Sequence, residues 1–151
     1  MYEIEKFEFQ TDIFKICKHF QNLGYEIIVI TNQSGIGRGY YSLEEFETLT
    51  SWMVNEFEKN NIKISKVYFC PHSPDTNCEC RKPKIGMIIQ ALNDFEIDLT
   101  NSWLIGDKQS DIQTAINANI PNRILISEKN EINSNSFITN KLLDTISIIT
   151  K

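Results

Sequence analysis

No apolar run in this chain approaches the length needed to span a bilayer, and its first residues lack the apolar core of a secretory signal. No membrane partner is expected, and the reducing cytoplasm is the expected location. Basic charge is also in short supply: 15 Lys and Arg against 20 Asp and Glu leave a net charge of -5. An acidic globule has no general attraction for nucleic acid or anionic lipid, so basic residues at a site act locally. Repeats and biased segments are absent apart from a polar patch, Glu128 to Ser136, which reads as a surface loop. A length of 151 residues, 41% of them hydrophobic, suits one domain over 1–151 with a real core.

Soft metal donors are few but concentrated. Of only 4 cysteines and 2 histidines in the chain, Cys70, His72, Cys78 and Cys80 fall together in CPHSPDTNCECRKPK, Cys70 to Lys84. The polar stretch from Ser73 to Asn77 can fold back and bring the two pairs together. Three sulfurs and one imidazole nitrogen are the donor set of a closed tetrahedral zinc site, with no position left for water. Such a zinc is a structural clip at 70–80 that holds Arg81 and Lys82 at a fixed place. The same residues also read as reduced thiols, or as a disulfide between two of the three cysteines; paired Cys and His spacing in a reducing compartment favours zinc. Cys17 sits in an apolar helical pattern and reads as a small buried hydrophobe.

Along the chain, Asp12 or Thr11 offers a cap for a helix carrying Ile13, Phe14, Ile16, Cys17, Phe20 and Leu23, which Gly24 stops. Tyr25 and Ile27 to Ile30 read as a strand buried on both faces of a parallel sheet. The strand breaks into Thr31, Asn32, Gln33, Ser34, Gly35, Ile36, Gly37, Arg38 and Gly39. At the carboxyl end of a strand, a hydroxyl, two amides and three glycines suit an oxyanion, although the same glycines also suit a plain connector. Ser42 and Glu45 form a capping box for a helix with Phe46, Leu49, Met53 and Phe57 on one face, ending near Asn60. Lys66 to Cys70 is a short strand, and Met87, Ile88, Ala91, Leu92 and Phe95 mark a helix after Pro83. Trp103 to Ile105 is a buried strand ending at Gly106, Asp107 and Lys108, where Asp107 alone reads equally as a turn residue. Asp111 opens a helix with Ile112, Ala115, Ile116 and Ala118, Arg123 to Ile126 is a further strand, and the tail from Phe137 reads as a closing helix. The alternation predicts an α/β, doubly wound (Rossmann-like) parallel sheet with its functional loops along one edge.

Three ordered motifs carry a resemblance: VITNQSGIGRG (Val29 to Gly39), CPH with CECRKPK around the metal, and LIGDKQSD (Leu104 to Asp111). Over Tyr2 to about Ile126 the chain resembles the phosphatase branch of the haloacid dehalogenase superfamily. Within it, the zinc-bearing D-glycero-D-manno-heptose 1,7-bisphosphate 7-phosphatase family is the nearest. The sister histidinol phosphatases share the zinc loop and resemble its short spacer, but they follow Thr-Asn-Gln with aspartate, whereas Ser34, Gly35 and Arg38 match the heptose type. The resemblance implies a small phosphorylated sugar as substrate, lipopolysaccharide or capsule precursors as the product's use, and Mg²⁺ and Zn²⁺ as metals. It implies that Thr31 and Lys82 stabilise the transferring phosphoryl group and that Asn32, Gln33, Ser34, Arg81 and Lys108 bind substrate. Asp107 is implied to ligate Mg²⁺. These types suit phosphoryl transfer, which spreads negative charge over equatorial oxygens.

One part is missing. The mechanism of that family uses an aspartate nucleophile, with a second aspartate two positions on, at the end of the central strand. None of Asp12, Asp75, Asp94, Asp98, Asp107, Asp111 and Asp144 has another aspartate two residues away. In the family that strand precedes the segment matching Tyr2 to Phe9, so the expectation is a domain lacking its first central strand and inactive alone. A parallel sheet without its middle exposes two inner edges and an apolar slot, which favours self-association. The alternatives are a non-catalytic phosphosugar binder and a zinc-clipped interaction module that accepts a strand from another chain.

Overall fold

A computed structural model describes residues 12–127, 136–139 and 142–149. Thr11, Tyr2 to Phe9 and nearly all of the Glu128 to Ser136 patch lie outside the described residues. Helix α1 (Ile13–Asn22) buries Ile16, Cys17 and Phe20 and gives way to Gly24 at a φ of 97°. The side chain of Asp12, an expected cap, makes no capping bond; its backbone is left-handed with a φ of 70°. Burial pushes the Cys17 thiol up to about 11, in keeping with an inert core residue.

Strand β1 (Ile27–Asn32) follows, with Tyr25 outside it and set edge-on against Phe20 at 6.5 Å. A helical turn, α2 (Ser34–Gly37), leads to α3 (Leu43–Lys59). The expected capping box forms: Glu45 N donates to Ser42 Oγ at 3.0 Å and Ser42 N donates to Glu45 Oε1 at 3.1 Å. Asn60 is the C-cap, as its position implied. Strand β2 (Ile64–Cys70), helix α4 (Gly86–Asp94), strand β3 (Trp103–Gly106), helix α5 (Gln109–Asn117) and strand β4 (Asn122–Ile126) complete the alternation.

The tail departs from expectation. Phe137–Thr139 form a strand, β5, before a short helix α6 (Thr145–Ile148). An aromatic and two β-branched residues suit a strand, and β4 has a free side for them: Ile124, Leu125 and Ile126 pair with Phe137, Ile138 and Thr139.

All strand pairings are parallel, and the described strands fall into two ladders, β1-β2 and β3-β4-β5. Side chains nevertheless cross between them. Val29 of β1 and Trp103 and Ile105 of β3 pack on one cluster built around Phe20, Phe57 and Ile124, under α1 and α3. On the other face Ile30 packs with Leu104, Ile88 and Ala115, under α4 and α5. This makes three layers, helices on both faces of parallel strands.

One expectation about burial needs correction. Every residue of β1 is half-buried, although the run reads as a strand covered on both sides. Among the described residues, β1 pairs only with β2 and β3 only with β4. No pairing between β1 and β3 is seen among the described residues, and β1 is half-buried along its length.

A polar staple closes the β2–α4 side. Tyr68 Oη donates to Asp94 Oδ2 at 2.6 Å and Lys66 Nζ does so at 3.0 Å. Burial and this bond push the Tyr68 phenol up to about 12, while the Tyr68 hydroxyl, then Lys66, hold Asp94 below the usual carboxylate range.

Candidate active site

The carboxyl ends of β1 and β2 lie side by side, with Thr31 opposite Phe69 and Asn32 opposite Cys70. The ladder runs one bond further, Gln33 N donating to Cys70 O at 2.7 Å. The chain then turns through α2, and Gly37 N donates to Pro71 O at 2.8 Å. A Cβ on Gly37 falls 2.7 Å from Pro71 O and 2.8 Å from Ser73 N, so only glycine lets these backbones meet. The loop after β1 and the loop after β2 are thus braced against each other.

Within the second loop the four soft donors converge. His72 Nδ1 lies 3.5 Å from Cys70 Sγ and 3.2 Å from Cys80 Sγ, and Cys78 Sγ lies 3.6 Å from Cys70 Sγ. All four ligand atoms fall within 4.8 Å of one another, with Cys70 and Cys80 at disulfide separation. The fold-back expected of the Ser73 to Asn77 stretch is held by Thr76 N on Ser73 O at 3.0 Å and Ser73 Oγ on Asp75 Oδ1 at 2.5 Å. The Ser73 hydroxyl, foremost, keeps the Asp75 carboxyl below its usual range. Lys84 Nζ donates to Cys78 O at 2.5 Å, and Gly86 N to Glu79 O at 3.0 Å, tying the loop to the start of α4.

Lys82 is fixed at both ends. Its backbone N–H donates to Asn32 Oδ1 at 3.0 Å, and its Nζ donates to Asp111 Oδ1 at 2.5 Å. Both side chains of that ion pair are largely buried, with exposures of 14% and 8%. The other carboxylate oxygen of Asp111 accepts from Asp107 N at 3.1 Å and Lys108 N at 3.2 Å. It therefore caps α5, where the helix dipole favours an anion. Gly106 is needed beside it, because a Cβ there runs into the Asp111 carboxylate.

Short links join several of the expected site residues: Thr31 to Gln33, Asn32 to Lys82, and Lys82 through Asp111 to Asp107 and Lys108. Asn32 turns its side-chain oxygen on the Lys82 backbone. Ser34 starts α2 and accepts from Arg38 N at 3.0 Å. Asp107 and Lys108 stand exposed at the end of β3. Arg81 keeps a buried guanidinium nitrogen, Nη1, for which the described residues supply no hydrogen-bond partner. Sequence reasoning took Asp111 only as a helix opener and passed over Tyr41, whose hydroxyl donates to Gln33 Oε1. The available signal for Asp111 was its spacing from Asp107 within LIGDKQSD.

A hydroxyl, an ammonium, strand-end amides and an exposed carboxylate thus lie near the carboxyl ends of parallel strands, a set of groups whose chemistry suits an oxyanion. Residues 79–129 match a family described as HAD-hydrolase-like. The chain is 47% identical over 129 residues to D-glycero-alpha-D-manno-heptose-1,7-bisphosphate 7-phosphatase of Campylobacter jejuni, covering 85% of this chain and 74% of that protein. It is 46% identical over 123 residues to the D-glycero-beta-D-manno-heptose-1,7-bisphosphate 7-phosphatase of Helicobacter pylori, covering 81% and 71%. The crystal structure of D,D-heptose 1,7-bisphosphate phosphatase from B. bronchiseptica, complexed with magnesium and phosphate, superposes with a TM-score of 0.87 at 19% identity, covering 97% of this chain and 86% of that one. The chain belongs to the D-glycero-D-manno-heptose-1,7-bisphosphate 7-phosphatase family of haloacid dehalogenase-like phosphatases.

Proposed function

We propose that this chain binds the 7-phosphate end of a heptose 1,7-bisphosphate, the substrate its relatives are named for, as the phosphate-holding part of a phosphomonoester hydrolase. The observation that carries this reading is the two-point fixing of Lys82, on Asn32 and on Asp111, which places one ammonium beside the ends of β1 and β3. In phosphoryl transfer Lys82 neutralises charge on the equatorial oxygens, Thr31 donates its hydroxyl to one of them, and Arg81 offers its unsatisfied Nη1 to a second anionic group. Gln33, Ser34 and Lys108 line the sugar side.

Asp107 fits a magnesium ion, being an exposed carboxylate held by its own backbone at the strand end. Bound there, magnesium supplies charge neutralisation and orients the phosphoryl group. Cys70, His72, Cys78 and Cys80 fit zinc: Zn–S bonds of about 2.3 Å in a tetrahedron set sulfurs about 3.8 Å apart, close to the 3.6 Å between Cys70 and Cys78. A disulfide engages two of these donors and leaves the approach of the others unexplained. Thiolate ligands need a reducing compartment, which supports a cytoplasmic site of action in making lipopolysaccharide or capsule precursors.

Hydrolysis through an aspartyl-phosphate needs a carboxylate that attacks phosphorus while the sugar oxygen leaves with a proton. Asp111 is committed to Lys82, and Asp107 to the metal. The chain by itself therefore binds without turning over. The test is a titration with inorganic phosphate, with and without Mg²⁺, beside a phosphate-release assay on heptose 1,7-bisphosphate. Magnesium-dependent binding lost in Lys82→Ala, without release, is expected; binding indifferent to Lys82, or turnover by this chain alone, overturns the reading.

A second reading rests on half-buried β1. Among the described residues the inner edges of β1 and β3 have no strand partner, and such edges accept a strand from another chain or a second copy. Sedimentation showing only monomer from micromolar to hundreds of micromolar counts against self-association.

A further inference from the structure

Thr31 can serve a phosphoryl group only if its hydroxyl hydrogen is free to point at it. A threonine hydroxyl has one hydrogen and two lone pairs, and the side-chain amide of glutamine can offer either a donor or an acceptor to it. Here Gln33 Nε2 donates to Thr31 Oγ1 at 3.0 Å. The hydroxyl's own contact as donor, on Asn32 O, is a weak 3.5 Å. The orientation of the Gln33 amide decides this polarity, and its Oε1 is held by the Tyr41 hydroxyl.

We infer that Tyr41 is a positioning residue, acting through Gln33 to aim the Thr31 hydroxyl hydrogen at the phosphoryl oxygen; this deepens the phosphate-binding reading above and rests on it. With the phenol donating to Oε1, Nε2 must face Thr31, which then accepts rather than donates. Without the phenol, the amide is free to turn over and present Oε1 to Thr31. The threonine hydrogen is then spent within the protein. The seat for the ring is built into the same loop. A Cβ at Gly35 falls 2.9 Å from Tyr41 Cζ, so Gly35 leaves the space the ring occupies. Tyr40 N donates to Gly35 O at 2.8 Å and closes the turn that brings Tyr41 back over Gln33. The positions are eight apart in sequence, joined by a loop that α2 and Gly39, at a φ of 79°, fold back on itself.

The experiment is Tyr41→Phe in the full chain, which keeps the ring against Gly35 and removes only the hydroxyl. Two readouts are taken. The first is the Gln33 side-chain amide pair in a ¹⁵N-correlated NMR spectrum: shifted signals and loss of exchange protection are expected, and unchanged signals overturn the relay whether or not phosphate binds. The second is the Kd for inorganic phosphate with Mg²⁺, expected to weaken about fivefold to tenfold, the worth of one mis-aimed hydrogen bond. In a Thr31→Val background, Tyr41→Phe is expected to weaken binding no further. Losses that multiply show a separate, structural role for Tyr41 and overturn the proposal. Wild-type chain that fails to bind phosphate is the failure of the phosphate-binding reading; the Gln33 amide signals then still judge the relay.

Discussion

The ammonium of Lys82 and the carboxylate of Asp111 meet at 2.5 Å, largely out of water, and the same carboxylate holds the backbone of Asp107 and Lys108. One side chain thus sets the basic group and the strand-end loop relative to each other.

Removing that carboxylate is expected to cost more than an ion pair on the surface would. Asp111→Ala leaves Lys82 as an uncompensated charge at 14% exposure and uncaps α5, with an expected loss of about 3 kcal/mol or more in urea unfolding. Asp111→Asn keeps an oxygen for the two backbone amides, so it is expected to unfold later than the alanine variant yet bind phosphate at least tenfold more weakly than wild type.

Metal analysis of protein purified in reducing buffer is expected to return about one zinc per chain. Chelation, or Cys78→Ser, is expected to lower the melting temperature and weaken phosphate binding together. The link is the backbone: Gln33 N–H rests on Cys70 O, and Lys82 is two residues beyond Cys80. Full zinc loss with unchanged phosphate affinity refutes the bracing role.

Gly37→Ala puts a methyl 2.7 Å from Pro71 O and 2.8 Å from Ser73 N. Both neighbours are backbone, so the two loops must part. A loss of about 1–3 kcal/mol by denaturant titration is expected, with weaker phosphate binding; Gly39→Ala, open around its Cβ but at a φ of 79°, is expected to act through backbone strain alone.

The Tyr68 phenol is raised from 10.0 to about 12, so the unfolded chain ionises it first. The stability it contributes is fully present below pH 10 and is lost as pH rises toward 12. Urea midpoints measured from pH 8 to 11.5 are expected to fall less steeply in Tyr68→Phe than in wild type. Parallel slopes in the two proteins count against the Tyr68–Asp94 bond.

Much of this protein is local, and what is local was legible. The α1, α3 and α4 apolar faces follow helical spacing, the Ser42–Glu45 box lies within one turn, and the four clustered Cys and His side chains sit in eleven consecutive positions, 70–80. The tail from Phe137 reads as a closing helix and does end in one, Thr145–Ile148, but the pairing of Phe137 to Thr139 with β4 is a long-range event that three residues do not announce.

The alternation of helices and strands through β4, the donor loop and the three ordered motifs were decided by the amino-acid sequence itself, since periodicity, caps and ligand spacing act between near neighbours. Only the tertiary structure joined Lys82 to Asn32 across 50 positions and to Asp111 across 29, and left β1 half-covered. Those facts depend on which strand ends come to lie together, and a chain read along its length carries no measure of that distance.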